Sequence, residues 1–256
     1  MPLNQEAVIL KSPEEIEKMR KSGSIVARVH AELRDKIRPG MTTMDLEVIA
    51  EKETLAMGAK PAFKGYHGFP FCLCTSVNDE VVHGMPSKKR VLSEGDIVGI
   101  DFGILLDGFY GDSAHTLAVG SISEESQKLM DSTKRSLEAA IEKCRVGFRL
   151  QDISASVQKV AEADGFSIVR DYTGHGIGRG LHEPPQVPNF GTEGKGIRLK
   201  EGMVLAIEPM VNEGTHQVKV LEDGWTVVTK DGKRSAHFEH TIAITADGPD
   251  VLTKLI

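Results

Sequence analysis

The sequence predicts an α+β fold made of two similar halves, at about residues 1–120 and 121–256. Two observations support this prediction. Each half begins with a long helical pattern, a glycine, a second helical pattern and another glycine, and then continues with strand-like apolar runs. Three positions in one half also match three in the other at a constant offset of 107 residues: Gly40, Asp45 and Gly58 match Gly147, Asp152 and Gly165. If the halves pack about a pseudo-twofold axis, their sheets meet in the middle.

The first half is expected to open with two helices. Ser12, with Glu15 three residues later, has the capping-box pattern, and apolar residues keep a helical period from there to Ile37. A second helix is expected from Thr42 to Gly58. An irregular segment rich in Gly and Pro follows, and then a strand near residues 71–77.

Asp107-Gly108 lies between two apolar runs and predicts a β-hairpin. With a two-residue turn, Asp101 pairs opposite Ala114, and Asp112 shares the face of Ala114. Two carboxylates then project from adjacent strands into apolar surroundings, where their burial is costly unless a cation compensates. Two solvent-exposed aspartates at strand ends account for this stretch equally well.

The second half repeats the pattern of two helices followed by strands. The expected helices cover 123–144 and 151–164, and the expected strands cover 203–208, 217–221, 225–229 and 236–244.

Between these helices and strands lies a glycine-rich loop, Gly174 to His182, that carries two histidines. Its glycine spacing does not fit a dinucleotide-binding fingerprint, and it lacks the lysine of a phosphate-binding loop. Further on, one glutamate ends an apolar strand and another lies inside one. A single strand glutamate is usually solvated, and a single histidine is usually structural. Together, five such residues favour a metal cluster: Asp101, Asp112, His175, Glu208 and Glu239.

Composition narrows the possible functions. The chain has a net charge of -6 and no large basic block, which argues against bulk DNA or RNA binding. Its three cysteines do not indicate a disulfide framework, so a reducing compartment is expected. The start of the chain lacks the pattern of a signal peptide, and no apolar run reaches the length of a membrane helix. We therefore expect a cytoplasmic protein without a membrane partner.

The order of the motifs, Asp-x10-Asp, TGHGIGRGLHEPP, AIEPM and FEHTI, resembles the methionine aminopeptidases of the pita-bread fold. The resemblance covers nearly the whole chain. It implies one catalytic domain over residues 1–256, with two pseudo-symmetric α/β halves and a central antiparallel sheet covered by helices. Only 30 residues separate Glu208 from Glu239, too few for the helical insertion of the second type. The chain therefore resembles the first, bacterial type.

The resemblance also implies roles for individual residues. The five clustered side chains would bind two divalent ions (Co, Mn, Fe or Zn), and a hydroxide bridging the ions would attack the peptide bond. His182 would stabilise the oxyanion, His83 would bond near the scissile amide, and Glu208 would also shuttle a proton. Six residues would line the pocket for the methionine side chain, with Phe63 in place of an expected cysteine: Phe63, Tyr66, Phe69, Cys74, Leu181 and Trp225.

The function implied is removal of the N-terminal methionine from nascent chains, with preference for a small second residue, by a monomer. Lys88-Lys89-Arg90 would allow transient contact with ribosomal RNA, although a solvated turn is the simpler interpretation. Three other functions are weighed against this one: an Xaa-Pro aminopeptidase, a metal-free creatinase-like hydrolase, and a non-catalytic binding protein of the same fold.

Overall fold

The computed structural model describes residues 7–255, and its helices and strands alternate as the sequence predicts. The α-helices are α1 (Pro13–Lys36), α2 (Thr43–Ala56), α3 (Glu124–Ile141) and α4 (Leu150–Ala163). The strands are β1 (Lys60–Pro61), β2 (Leu73–Val77), β3 (Glu80–Val82), β4 (Ile97–Leu106), β5 (Phe109–Ala118), β6 (Ser167–Ile168), β7 (Thr173–Gly176), β8 (Glu183–Pro188), β9 (Val204–Ile207), β10 (Met210–Asn212), β11 (Val218–Val220), β12 (Val227–Thr229), β13 (Ser235–His237), β14 (His240–Thr245) and β15 (Gly248–Val251).

The strands form four antiparallel sheets. The largest has the order β15-β14-β9-β7-β8, and the next contains β1, β4, β2 and β5. Helix α1 packs on β4 and β5, while α3 and α4 pack on strands of the second half. Strand β5 also contacts β13 and β14, so strands of the two halves meet there. None of the helices between residues 7 and 255 has both the length and the apolarity needed to span a bilayer.

The first two helices begin as predicted. The Ser12 side chain accepts a hydrogen bond from the Glu15 N–H, and the Glu15 carboxylate accepts one from the Ser12 N–H. Thr42 and Asp45 form the same reciprocal pair at the start of α2. Each capping box satisfies two backbone donors that a helix start would otherwise leave unpaired.

Helices α2 and α4 have matching local geometry. Each has 14 residues, and their bounds differ by the offset of 107. Asp45 and Asp152 occupy the same position, and each carboxylate accepts the N–H three residues earlier at 2.7 Å. Two isolated β-bridges repeat at the same offset, Thr42 with Val91 and Arg149 with Arg198. These details support the prediction of two related halves, which stays a prediction.

The β4–β5 hairpin has the predicted register. Leu106 pairs with Phe109 across the turn, and Asp101 pairs with Ala114. Asp107 and Gly108 have φ values of 50° and 81°. Left-handed backbone at both turn positions is typical of a type I′ turn, whose twist matches that of the strands.

Two predictions about the second half were wrong. The expected strand over 236–244 is two strands, because the chain leaves β13 after His237 and re-enters a different sheet at His240. In the gap, the Glu239 N–H donates to the Ala114 carbonyl at 2.8 Å instead of continuing a ladder. The loop expected from 174 to 182 is shorter, because its first residues belong to β7. The residue pattern over 236–244 does not reveal where the strand changes partner.

Candidate active site

One cavity, of about 230 Å³, brings together residues from both halves. Its lining contains all thirteen residues that the sequence analysis singled out for metal binding, catalysis or substrate binding: Phe63, Tyr66, Phe69, Cys74, His83, Asp101, Asp112, His175, Leu181, His182, Glu208, Trp225 and Glu239. The cavity therefore has an acidic part and an apolar part.

The hairpin and the break between β13 and β14 together hold two of the carboxylates. The Asp112 N–H donates to Thr241 Oγ1 at 3.1 Å, and that hydroxyl donates back to the Asp112 carbonyl at 2.8 Å. Ser113 Oγ donates to the Glu239 carbonyl at 2.6 Å. Because these bonds involve the backbones of both carboxylate residues, Asp112 and Glu239 have fixed relative positions.

The other two carboxylates lie on the strands that precede these. Asp101 is in the middle of β4, and Glu208 directly follows β9. Their numbers differ by 107, the offset that relates the two halves. In the sequence, the helices and glycines alone revealed this repeat. The same offset of 107 also relates Asp101 to Glu208. It was an available sequence signal that the two carboxylates occupy equivalent places in the two halves.

His175, on β7, supplies an imidazole beside the carboxylates. Its Nδ1 donates to the Gly176 carbonyl at 2.9 Å, which leaves the Nε2 lone pair free on the cavity side. That Nε2 lies 3.5 Å from Glu208 Oε1. Burial lowers the pKa of His175 to about 3, so the ring is neutral, as a metal ligand must be.

The carboxylates are buried, but several of their oxygens lack the hydrogen-bond partners that normally offset the cost of burial. Oδ1 of Asp101, Oδ1 of Asp112 and Oε1 of Glu239 have no hydrogen-bond partner among the described residues. Desolvation raises the pKa of Asp101 to about 7, and burial together with the neighbouring carboxylates raises those of Asp112, Glu208 and Glu239 well above their usual range. Such a cluster is strongly unfavourable unless cations compensate.

The donor set suits divalent metal ions. Asp112, His175 and Glu239 each offer one ligand atom, and these three atoms all lie within 4.8 Å of one another. Carboxylates with one imidazole suit hard or borderline divalent ions. The residues present therefore fit a metal centre, and the unpaired carboxylate oxygens are the observation that shows it.

The opening of the cavity is formed by histidines and a tyrosine. His182 follows the glycine-rich loop, and its Nδ1 lies 2.8 Å from the Tyr66 hydroxyl. Its ring packs against His175 with centroids 4.3 Å apart. His83 packs edge-on against Tyr172, and burial lowers its pKa to about 4. Both predicted histidines thus adjoin the acidic cluster as neutral rings.

The wall away from the carboxylates is apolar. Phe69 and Trp225 pack with ring centroids 5.1 Å apart. Leu181 and Cys74 are almost fully buried beside them. Burial raises the pKa of Cys74 well above its usual range, so this residue is an apolar wall and not a reactive thiolate.

Two histidines near this site were missed in the sequence. His67 lines the cavity beside Tyr66, with left-handed backbone at φ 48°. It lies between Tyr66 and Phe69, both of which were predicted, so proximity in sequence was an available signal. His237 is buried with Nε2 3.9 Å from Glu208 Oε2. No sequence signal distinguishes it from an ordinary strand histidine.

Comparison with known proteins gives consistent results. Residues 17–246 match metallopeptidase family M24. A methionine aminopeptidase of Clostridium perfringens is 54% identical over 246 residues, covering 96% of this chain and 98% of that protein. Methionine aminopeptidase 1 of Bacillus subtilis is 52% identical over 248 residues, covering 97% and 100%. The crystal structure of a Thermotoga maritima methionine aminopeptidase matches with a TM-score of 0.95 at 51% identity, covering 97% and 100%. The pita-bread fold is thereby confirmed.

Proposed function

This chain belongs to metallopeptidase family M24, and we propose that it is an aminopeptidase that removes the N-terminal methionine from nascent proteins. The observation that carries the proposal is the buried cluster of four carboxylates and one imidazole next to an apolar pocket. The cluster suits peptide hydrolysis with divalent metal ions, and the pocket suits an unbranched apolar side chain. A binding protein would have no need for unpaired buried carboxylates.

The proposed cofactor is a pair of divalent ions, Co, Mn, Fe or Zn, held by Asp101, Asp112, His175, Glu208 and Glu239. When bound, such ions make water a nucleophile at neutral pH and polarise the scissile carbonyl. Support for two ions comes from the number of candidate ligands: Asp112, His175 and Glu239 offer three atoms within 4.8 Å of one another, and Asp101 and Glu208 line the same cavity. Asp112 and Glu239 are the two most buried carboxylates of the set and would be central to holding the ions.

The histidines and Glu208 are proposed to act on the peptide bond. His182 can donate from Nε2 to the developing oxyanion if its Nδ1 accepts from the Tyr66 hydroxyl, 2.8 Å away. His83, on the same side of the acidic cluster, is proposed to bond near the scissile amide. Glu208, which lines the same cavity as both histidines, is proposed to shuttle the proton that passes to the leaving amine.

Substrate selection is proposed to occur on both sides of the scissile bond. The methionine side chain would occupy the wall formed by Phe63, Tyr66, Phe69, Cys74, Leu181 and Trp225. A recess of only about 210 Å³ adjoins the cavity, shares His83 and Glu208 with it, and is also lined by Tyr172 and Met210. This enclosure favours a small second residue.

Three wider properties are part of the proposal. We propose a monomer located in the cytoplasm, which agrees with the three cysteines being buried, unpaired thiols. Transient ribosome contact through Lys88, Lys89 and Arg90 is supported by the exposure of all three side chains. Ribosome sedimentation at low and high salt would test it, because contacts to phosphate weaken steeply with salt.

The function is tested with metal-stripped protein and the peptide Met-Ala-Ser, with and without added Co or Mn. Release of free methionine only when metal is present is the expected result. Met-Lys-Ser should be cleaved much more slowly, and an Ala-Pro peptide should not be cleaved. Cleavage of the Ala-Pro peptide instead would indicate an Xaa-Pro aminopeptidase. Bound metal without cleavage of any peptide would favour a binding protein.

A further inference from the structure

A buried ion pair joins the segment before α1 to the loop that carries His182. Lys11 Nζ lies 2.5 Å from Glu183 Oε2, and the two side chains are only 3% and 6% exposed. Lys11 Nζ also donates to the Ile9 carbonyl at 3.0 Å. Among the Lys and Arg ion pairs formed between residues 7 and 255, no other has both side chains so buried.

The loop from 177 to 182 is wrapped around this pair. Glu183 Oε1 accepts a hydrogen bond from the Gly180 N–H at 2.8 Å. A Cβ at Gly178 would lie 2.3 Å from Lys11 Cε and 2.9 Å from Glu183 Oε1, so only glycine permits this approach. The pair therefore determines the path of the loop.

The lysine side of the pair is fixed to the sheet. The Lys11 N–H donates to the Gly202 carbonyl at 2.7 Å, and the Gly202 N–H donates to the Ile244 carbonyl on β14 at 3.0 Å. The Gly178 carbonyl, at the other end, accepts from the Tyr110 N–H on β5 at 2.9 Å. The loop is thus tied directly to β5, which carries Asp112, and through Lys11 and Gly202 to β14, which begins next to Glu239.

Two residues of the proposed active site depend on the position of Glu183. His182 precedes it directly, and its own ring is exposed, so its placement depends on its two buried neighbours, Leu181 and Glu183. The Glu183 backbone also pairs with Gly176, whose carbonyl accepts the His175 Nδ1 proton. A shift of Glu183 would displace the oxyanion donor and tilt a metal ligand together.

We propose that Lys11 and Glu183 are positioning residues that hold His182, and secondarily His175, in the geometry needed for peptide hydrolysis. The inference rests on the proposed aminopeptidase function. A purely stabilising role accounts poorly for the pair, because removing two charges from water offsets most of the attraction between them. Neither residue touches the substrate pocket.

The test compares Lys11→Met, Glu183→Gln and the double variant in metal-loaded protein acting on Met-Ala-Ser. We expect kcat to fall about 10- to 100-fold in each, because small displacements of catalytic groups are costly, while KM changes less than about twofold. The matched control is Glu15→Gln, which breaks an exposed ion pair of the same loop, Arg179 to Glu15 at 3.1 Å. Its kcat should stay within about twofold of wild type.

Two further measurements separate positioning from stability. In a His182→Ala background, Lys11→Met should reduce kcat much less than in wild type, because its effect acts mainly through His182. Hydrogen exchange of the Gly180 amide should become faster in Glu183→Gln by more than the loss of global stability accounts for. An equal loss of kcat in both backgrounds would overturn the proposal.

The double variant guards against misfolding of the single variants, because it leaves no unpaired buried charge. If it folds with wild-type kcat, the pair is not a positioning device and the proposal is wrong. If wild-type protein itself fails to cleave Met-Ala-Ser, the proposed function fails instead. The two failures are therefore distinguishable.

Discussion

The cavity has an acidic floor, formed by Asp101, Asp112, His175, Glu208 and Glu239, and a rim, formed by Tyr66, His83 and His182. The two are held in different ways. Asp112 and Glu239 on the floor are 3% and 2% exposed, and hydrogen bonds between β5 and residues 239–241 fix their backbones. His182 on the rim is exposed, and its side chain has one hydrogen bond, to Tyr66. The floor is rigid because strands of both halves join there, whereas the rim depends on a loop and the contacts beneath it.

This difference separates two kinds of contribution. Changes to the floor should alter metal binding and, through it, everything else. Changes to the rim should alter the rate of the chemical step while metal content stays constant. The floor also has a cost, because its carboxylates have raised pKa values and unpaired oxygens when no cation is bound. Residues of the floor are therefore needed for function but lower the stability of the metal-free protein. Residues of the rim are needed for function without this loss of stability.

The largest effect is expected from Asp112→Asn. Loss of the negative charge should prevent full metal loading and lower kcat/KM by about 10³-fold or more, since metal ions supply several kcal/mol of transition-state stabilisation. The metal-free variant should be at least as stable as metal-free wild type, because a buried carboxyl is removed. Metal analysis, kinetics and thermal unfolding check the three statements.

The control for this change is Asp107→Asn in the same hairpin. Asp107 is exposed at the turn, and Asn-Gly is equally suited to a type I′ turn, so metal content and activity should be unchanged. A fully loaded, active Asp112→Asn protein would contradict the assignment of the floor.

A smaller effect is expected at the rim from His182→Ala. Removal of one oxyanion donor should lower kcat about 10²- to 10³-fold with unchanged metal content. Tyr66→Phe, which removes only the hydroxyl beside Nδ1, should lower kcat about tenfold or less. Loss of metal from His182→Ala would place this residue on the floor instead.

The floor should also be visible in the pH dependence of stability. Burial and the neighbouring carboxylates raise the pKa values of the floor acids Asp112, Glu208 and Glu239 well above their usual range, so the folded state keeps protons that the unfolded chain has released. Stability therefore falls as pH rises through their folded pKa values. The histidines with lowered pKa values act in the opposite direction only near and below about pH 6.5, where the unfolded chain binds their protons.

Above about pH 6.5, where the histidines no longer act in the opposite direction, the metal-free protein should accordingly lose up to about 1.4 kcal/mol of unfolding free energy per pH unit for each retained proton. Urea denaturation at several pH values measures this slope. Metal-loaded protein, whose carboxylates are ionised, should not show it. A flat profile for the metal-free protein would mean that the floor carboxylates are solvated.

The floor was more accessible to sequence analysis in the first half than in the second. Asp101 and Asp112 lie in strands joined by an Asp-Gly turn, so alternation and register followed from a local signal, and the structure confirms both. Glu239 lies where the chain leaves one sheet for another. That break is caused by hydrogen bonds to β5, which is distant in sequence, so no local pattern could predict it.

The rim was predictable only by resemblance. His83 and His182 have no periodicity that distinguishes them from structural histidines, and their motifs alone indicated a role. The contacts beneath the rim were not predicted at all. Lys11 and Glu183 are 172 residues apart and meet only after the sheets have formed. A lysine before a helix is normally expected to be solvated, and that expectation holds until the fold buries it.

The smallest effect is expected at the apolar wall, from Phe63→Cys. The Phe63 ring packs so tightly over Gly103 that a Cβ there would lie 3.0 Å from Cε1. The smaller residue enlarges the pocket and removes apolar contact, so KM for Met-Ala-Ser should rise about two- to fivefold. Because the wall contacts the side chain alike in substrate and transition state, kcat should be unchanged. Metal content should also be unchanged, which separates the wall from the floor.

A peptide beginning with ethionine, one methylene longer, should gain in kcat/KM relative to the methionine peptide. If Phe63→Cys instead raises KM but leaves the ratio of kcat/KM for the ethionine and methionine peptides as in wild type, Phe63 acts through Gly103 and the hairpin. The wall would then not be independent of the floor.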